Sequence, residues 1–588
     1  MCGIFGAVGN IDQKSCLSSV NSLAHRGPDD AGYFIDKNVF LGFRRLSIID
    51  LSEKGNQPMC NEDKTIWLIF NGEIYNYKEL KADLRNQHKF ISSSDSEVII
   101  HGYEKWGISE MLKRINGMFA FCIYDKKKNI VYLTRDRIGK KPLYYYQKND
   151  SLLFASETKA FFQQKDFLFE IEEENFKNFI GFSFCPDNKK TLIKNVFKIE
   201  PATYLEYKLK NHRKTIYSYW NLENRKEKIN FFQACDNLEE LLLDSVKKRL
   251  VSDVPLGILL SGGLDSSLIT ALASRENTKI KTINISFPNS SINESLFAEK
   301  VSVICKTDHL NLRVKINDLY NEFKKNIRIY DDLSTFDPGL FSTYLMSELA
   351  KKSGLKVLLT GEGADEIFGG YTWFGLSQFP FCLIPDHLRT NLYYYSISRS
   401  LNIKENIVFG NKLNKLLNKE KGGDYFRKIQ GFEIKYSLPN HYCMKLDKGS
   451  SAASVEARAP YLDYRVVDFA FNLPPEFLLG TKVYNPKSLN KYILRKVAGK
   501  YLPPEIVMRK KRGGMLPTYD ILRQAITKEK EIILENEYLK SYFGANLLNK
   551  FVKFKNTNNI FSWSTEWRLW KCLVFGLWHD YYSSYGKN

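Results

Sequence analysis

In the first third of the chain the apolar residues come in short runs set off by turn dipeptides. Residues 65–70, 118–124, 130–133 and 152–154 read as strands, with Asn71-Gly72 and Asn116-Gly117 as turns beside them. Few long helical patterns interrupt them, residues 77–85 being the main one. Stacked antiparallel sheets carrying some helices are predicted. Near residue 231 the period changes: Phe231, Phe232, Leu238, Leu241, Leu242, Val246 and Leu250 recur at helical spacing. Strands then alternate with helices. An apolar run at 256–260 leads through a glycine turn into a helix-like 267–274, and 281–287 reads as a strand. Residues 340–351 are helical, Gly354 can cap them, and 355–359 reads as a buried strand. Such βαβ alternation implies a parallel sheet with helices on both faces. The rest is mostly helical, including an apolar stretch at 572–578 that is too short to span a membrane. The change of pattern places a domain boundary near residue 215, dividing the chain into 1–215 and 216–588.

Composition agrees with this division. A chain of 588 residues exceeds what one core usually supports, so two or three domains are expected. With 44% hydrophobic and 14% aromatic residues it has the material for large packed cores and is not disordered. The net charge of +20 raises the question of a nucleic-acid or anionic-membrane partner. The basic runs, at 126–128 and 509–512, are short and not interleaved with aromatics, which favours lysines solvated over the whole surface. The ten cysteines show no Cys-x-x-Cys pair and no histidines at zinc-site spacing, so free thiols in a reducing, cytoplasmic compartment are expected. The N-terminus lacks the basic and apolar regions of a signal peptide.

Cys2 is chemically special only if Met1 is removed, which a small second residue permits. Thiol and α-amine then share one carbon, and an amine titrating near pH ~8 can serve as general base to the thiol. The strings Cys2-Gly3-Ile4-Phe5-Gly6, His25-Arg26-Gly27-Pro28-Asp29, Arg45-Leu46-Ser47-Ile48, Asn71-Gly72-Glu73-Ile74-Tyr75-Asn76 and Asp95-Ser96-Glu97 follow in order. Together they resemble the glutaminase domain of the class II, N-terminal-nucleophile amidotransferases, an α+β fold of αββα layers. The resemblance implies Cys2 as nucleophile and an oxyanion hole from the Asn71 side chain and the Gly72 N–H. It also implies Arg45 on the glutamine α-carboxylate, Asp95 on its α-ammonium, and Glu73 helping to hold the same ligand.

In the second part, Ser261-Gly262-Gly263-Leu264-Asp265-Ser266-Ser267 follows an apolar strand and opens a helix. Two glycines, the serines and a helix N-terminus suit an anion, and Asp265 there suggests Mg²⁺ bridging to phosphates. The string does not match G-x-x-x-x-G-K-[ST], so γ-phosphate transfer is not expected. It resembles the pyrophosphate loop of ATP pyrophosphatases. A second acidic loop, Thr360-Gly361-Glu362-Gly363-Ala364-Asp365-Glu366, again follows a buried strand. Ligands bind at the carboxyl ends of parallel strands, so both loops are placed to face one site.

This part resembles the synthetase domain of the glutamine-hydrolysing asparagine synthetases: an α/β parallel sheet with a helical C-terminal part. The resemblance implies metal ligands Asp265 and Asp365, general base Glu362, and Lys511 on pyrophosphate. It places Leu259, Ile285 and Gly361 against AMP. ATP and Mg²⁺ are the implied co-substrate and cofactor. The segment Val455-Glu456-Ala457-Arg458-Ala459-Pro460-Tyr461-Leu462-Asp463 also matches, and is given a packing role. The leading substrates are L-glutamine and L-aspartate, with a homodimer left open. Residues 331–340, expected near the acceptor, depart from housekeeping members, and the chain end resembles a branch tied to surface polysaccharide. A uronic acid is therefore an alternative acceptor. A tRNA-modifying pyrophosphatase is a further alternative, and a nucleic-acid partner is disfavoured.

Overall fold

Two antiparallel sheets of six strands each lie face to face in the first part of the chain. One runs Val196–Lys198, Tyr144–Lys148, Ser151–Ala155, Gly3–Val8, Val39–Arg45, Asp30–Asp36 in spatial order. The other runs Arg213–Ser218, Thr203–Lys208, Ile130–Arg135, Gly117–Asp125, Ile66–Ile74, Met59–Cys60. The computed structural model describes residues 1–588 other than 226–227, 277–278, 288–293, 317–318, 400–402, 421–422, 485–489, 511–515, 554–559 and 586–588.

Alternation along the strands builds the layers. Ile4, Val8, Leu41 and Phe43 of the first sheet meet Ile69, Ala120, Cys122 and Leu133 of the second in a dry interior. The alternate residues Phe5, Ala7 and Phe40 face outward onto Cys16 and Val20 of helix Gln13–Ser22. On the far side Phe70, Phe119 and Phe121 pack against helices Tyr77–Leu84 and Glu97–Arg114. The result is the expected αββα stack.

Two local expectations need correction. Asn71-Gly72 is not a turn: it lies inside strand Ile66–Ile74, with Asn71 opposite Ala120 and Gly72 opposite Phe119. Asn-Gly favours turns in isolation, but here the cross-strand ladder continues through it. Only glycine fits at 72, because a Cβ would stand 2.1 Å from the Met118 carbonyl oxygen. The first part is also more helical than its pattern suggested. Glu97–Arg114 spans 18 residues, but it is buried along Val98, Ile99 and Ile100 and kinked at Gly107 (φ 73°), which blurs its period.

The second part contains a five-stranded, wholly parallel sheet in the order Asp308–Arg313, Lys281–Ser286, Leu256–Leu259, Val357–Leu359, Glu456–Arg458. Strand order reverses between Leu256–Leu259 and Val357–Leu359, the position where open α/β sheets bind ligands. Helices Phe231–Arg249, Leu264–Glu276 and Gly339–Lys352 cover the faces. The C-terminal helix Ile560–Tyr585 buries Trp570, Phe575 and Trp578 against the rest of the protein. Among the described residues no helix is long and apolar enough to cross a membrane. All ten cysteines are unpaired thiols.

Candidate active site

Cys2 leads into the central strand Gly3–Val8 and lines a pocket with Arg45, Gly72, Glu73, Asp95 and Glu456. Sequence reasoning placed the first five together; Glu456, from the other end of the chain, was not anticipated. The Cys2 carbonyl accepts from Arg26 Nε at 3.1 Å. Arg26 is fully buried and donates to Glu157 (2.7 Å), to Asp447 (2.9 Å) and to the Ser451 hydroxyl (3.0 Å). The His25–Asp29 string thus anchors the Cys2 backbone to helix Cys443–Ala452.

Burial pushes the Cys2 thiol up, so the thiolate needs a base nearby. The Met1 amine lies 3.7 Å from Glu456, and burial pulls it down to about 6; removal of Met1 would put the Cys2 amine in its stead. Asn71 is fully buried, and neither its side-chain oxygen nor its nitrogen has a partner among the described residues. An amide left unpaired in the core costs on the order of 1–3 kcal/mol, and Asn71 adjoins Gly72 without itself lining the pocket. The Arg45 guanidinium is held by the carbonyls of Asp50 and Ser52 and by Asn56 Oδ1.

The pocket has surplus acid. Glu73 is paired with Arg458, whose Nη2 lies 2.9 Å from it and whose Nε lies 2.9 Å from Glu456. Asp95 accepts from the Ile74 N–H at 2.7 Å. Burial, with the Glu456 charge adding to it, pushes Asp95 up to about 7; burial also raises Glu73. A cation entering here is favoured, and the ammonium of an α-amino acid fits that requirement. If Asp95 is its partner, only the ionised carboxylate holds it. The KM for glutamine is therefore expected to rise about tenfold per pH unit below 7 and to level off above it. Glutaminase kinetics across the range pH 5–9 test this; a KM independent of pH removes Asp95 from the ammonium.

At the parallel sheet, loop 261–267 and loop 360–366 meet at the switch point. A Cβ on Gly361 would stand 2.8 Å from the Ser266 amide, so the loops touch. Gly262 takes φ +73°, which glycine alone adopts without strain. Helix Leu264–Glu276 begins earlier than its pattern suggested, which puts Asp265, Ser266 and Ser267 in its first turn. Ser266 Oγ accepts from the Ser261 N–H (3.2 Å) and lies 3.0 Å from Ser261 Oγ. Ser267 Oγ is buried without a partner among the described residues. Gly263 is in the same turn, and its N–H donates to Ser261 Oγ. Leu259 and Ile285 sit half-buried toward the carboxyl ends of neighbouring strands. Thr360 donates its N–H to the Arg458 carbonyl at 2.9 Å.

Asp265 and Asp365 converge on one ammonium, Lys491 Nζ, at 2.6 and 2.8 Å. Two carboxylates sharing a cation is a donor set that suits a divalent metal, so the residues present fit Mg²⁺. Lys511 lies outside the described residues. Lys491 was missed in the sequence because no glycine turn or motif surrounds it. Glu362 pairs with Lys445 at 3.0 Å, and Lys445 lies 3.9 Å from Asp337, which also pairs with His441 at 3.1 Å. Segment 331–340 therefore does approach the site, through Asp337. Glu366 is buried, hydrogen-bonded to Tyr371, and pushed up to about 8 by burial and then by Asp365 and Glu362.

The segment given a packing role does more than pack. Strand Glu456–Arg458 is the edge of the parallel sheet. Its Arg458 carbonyl receives the Thr360 loop while its side chain reaches Glu73 in the other pocket. Arg458→Met is expected to strand Glu73 as an unpaired buried acid and to leave Glu456 with the N-terminal amine alone, costing about 3–5 kcal/mol of stability. It is also expected to raise the glutamate released per amide formed above one. Denaturant unfolding and product ratios check both; unchanged values contradict the link.

Family models described as glutamine amidotransferase domain and asparagine synthase match residues 1–220 and 237–580. Asparagine synthetase [glutamine-hydrolyzing] 1 of Bacillus subtilis is 32% identical over 630 residues, covering 99% of this chain and 96% of that protein. Its counterpart 3 from the same organism is 32% identical, covering 87% of this chain and 86% of that protein. Counterpart 2 is 32% identical, covering 81% and 67%. With the Cys2 pocket and the switch-point loops built in this way and matches of this extent, the chain belongs to the glutamine-hydrolysing asparagine synthetase family.

Proposed function

We propose that the protein converts ATP, L-aspartate, L-glutamine and water into L-asparagine, L-glutamate, AMP and diphosphate. The observation that carries this reading is the double engagement of Arg458, side chain on Glu73 and carbonyl on Thr360, which ties a glutamine pocket to a nucleotide loop. Residues 1–215 would hydrolyse glutamine and 216–588 would use the ammonia, with strand Arg213–Ser218 straddling the joint.

Removal of Met1 leaves thiol and α-amine on Cys2. The amine takes the thiol proton, and sulfur attacks the glutamine amide carbon. The unpaired Asn71 amide and the Gly72 N–H stabilise the oxyanion, and ammonia leaves as the γ-glutamyl thioester forms. Arg45 holds the α-carboxylate; Asp95, with Glu73 beside it, holds the α-ammonium. Water then releases glutamate.

In the second pocket the 261–267 loop and Thr360-Gly361 cradle ATP, with Leu259 and Ile285 against the adenosine. Asp265 and Asp365 would hold Mg²⁺, which neutralises phosphate charge when bound. Lys511 is proposed to meet the leaving pyrophosphate. The acceptor carboxylate attacks the α-phosphorus, giving an acyl-adenylate. Ammonia attacks its carbonyl as Glu362 takes a proton, the acyl–phosphate C–O bond breaks and AMP leaves, and Lys445 fixes the Glu362 carboxylate. Helix Cys443–Ala452 runs between the pockets, with Ser451 on Arg26 and Lys445 on Glu362. Six residues of helix span about 9 Å. An enclosed passage along it would keep ammonia unprotonated.

A pyrophosphate-release assay with glutamine, MgATP and a panel of carboxylates tests the reading. Aspartate is expected to give glutamine-dependent asparagine and AMP. Amidation of a uronic acid with no turnover of aspartate would overturn it.

A further inference from the structure

In the first part, outside the residues that line the Cys2 pocket, four side chains from three separate segments converge: Glu62, His88, His101 and Glu104. One donor atom of each lies within 4.8 Å of the others. Glu62 comes from the turn before strand Ile66–Ile74, and His88 from the segment after helix Tyr77–Leu84. His101 and Glu104 are one turn apart on helix Glu97–Arg114 and so share a face. Glu104 Oε2 is 3.2 Å from His101 Nδ1 and 3.6 Å from His88 Nδ1. Glu62 is 3.7 Å from His88 Nδ1 and 3.9 Å from His101 Nδ1. Donor atoms about 2.0–2.2 Å from a tetrahedral zinc ion stand roughly 3.3–3.6 Å apart, so these separations are close to the edges of such a site.

The surroundings are those of a braced ligand set. His101 is buried, with its Nδ1 toward the cluster and its Nε2 3.5 Å from Glu97. Nε2 makes no hydrogen bond at that distance, but the carboxylate stands where one orients metal-binding histidines. Glu97 is itself fixed by the N–H groups of Ile91 and Ser92 and by the Ser92 hydroxyl. Glu104 uses its other oxygen to accept from Asn61, and Glu62 accepts from the Lys89 N–H. Neither Glu62 nor Glu104 has a lysine or arginine partner among the described residues. The two imidazoles stack at 4.5 Å and present the same nitrogen to the same pair of acids.

We propose that Glu62, His88, His101 and Glu104 form a structural binding site for a divalent transition-metal cation of the zinc class. Two imidazoles and two carboxylates are a borderline donor set, which suits Zn²⁺ and excludes the all-oxygen preference of Mg²⁺ and Ca²⁺. The ion would stake the start of helix Glu97–Arg114. That start is two residues from Asp95 and lies in the same strap as Ser94 and Ser96 of the first pocket. The assignment of the cation is independent of any role for Asp95. The sequence hid the site because its ligands are spread over three segments with no Cys or paired-His spacing.

The test uses the full chain, stripped with a chelator and titrated with Zn²⁺ against a chromophoric competitor, with Mg²⁺ as control. Wild type is expected to bind one Zn²⁺ tightly and not to be displaced by Mg²⁺. His88→Ala and Glu62→Gln alter partly exposed side chains, so the fold is expected to persist, and each should weaken binding at least tenfold. Substituted Co²⁺ should give a tetrahedral visible spectrum with no thiolate charge-transfer band, which separates this site from the cysteines. Absence of Zn²⁺ binding, equal binding by wild type and both variants, or a thiolate band would each overturn the proposal.

Discussion

Cys2→Ala is expected to abolish glutamine-dependent asparagine formation while ammonia-dependent formation continues near the wild-type rate. Deleting an activated nucleophile removes on the order of 10⁶ in rate, so glutamine hydrolysis should fall to background. The second pocket should be untouched. Cys2 is held through its own carbonyl by Arg26, and that contact does not involve the thiol. The thiol's one hydrogen bond, to the Leu46 carbonyl at 3.9 Å, is weak enough to lose without consequence for the fold. Initial rates with glutamine and with ammonium salts check this. Loss of both activities in a folded variant would contradict separable pockets.

Asp265→Asn gives the complementary result: glutaminase activity persists and AMP formation collapses, by roughly 10²–10³-fold. In the free protein Asp265 and Asp365 share the Lys491 ammonium. The variant keeps the shape and the Asp365 contact, so the fold should survive. It loses half of the negative charge proposed to hold Mg²⁺ on the phosphates. Asp365→Asn should behave alike, and excess Mg²⁺ should partly restore either variant. AMP formation within a factor of a few of wild type would remove the pair from metal binding.

Much of this was legible in the sequence because the chemistry sits in short local strings. The 261–267 loop shows its strand, its glycines and its helix start within a few residues. The same holds for Cys2 and the strand behind it. Long-range partnerships were not legible. Arg458 joins Glu73 across 385 positions, and nothing in either string marks the pairing. Lys445 on Glu362, inside a helix, and Lys491 between two aspartates, just before one, are lone lysines with no spacing to set them apart. Asn71-Gly72 misled for a local reason: its turn propensity is real, and the ladder to strand Gly117–Asp125 overrides it. Helix Glu97–Arg114 was hidden by burial on several sides, which erases amphipathic contrast.

The central claim is that nitrogen from glutamine at Cys2 reaches an adenylated aspartate inside one molecule. Incubation with [amide-¹⁵N]glutamine, aspartate and MgATP, in the presence of excess unlabelled ammonium, tests it most directly. The predicted result is ¹⁵N-asparagine with little dilution, together with one AMP and one diphosphate per asparagine. Asparagine carrying mainly unlabelled nitrogen, or formed with ADP and phosphate in place of AMP and diphosphate, would contradict it.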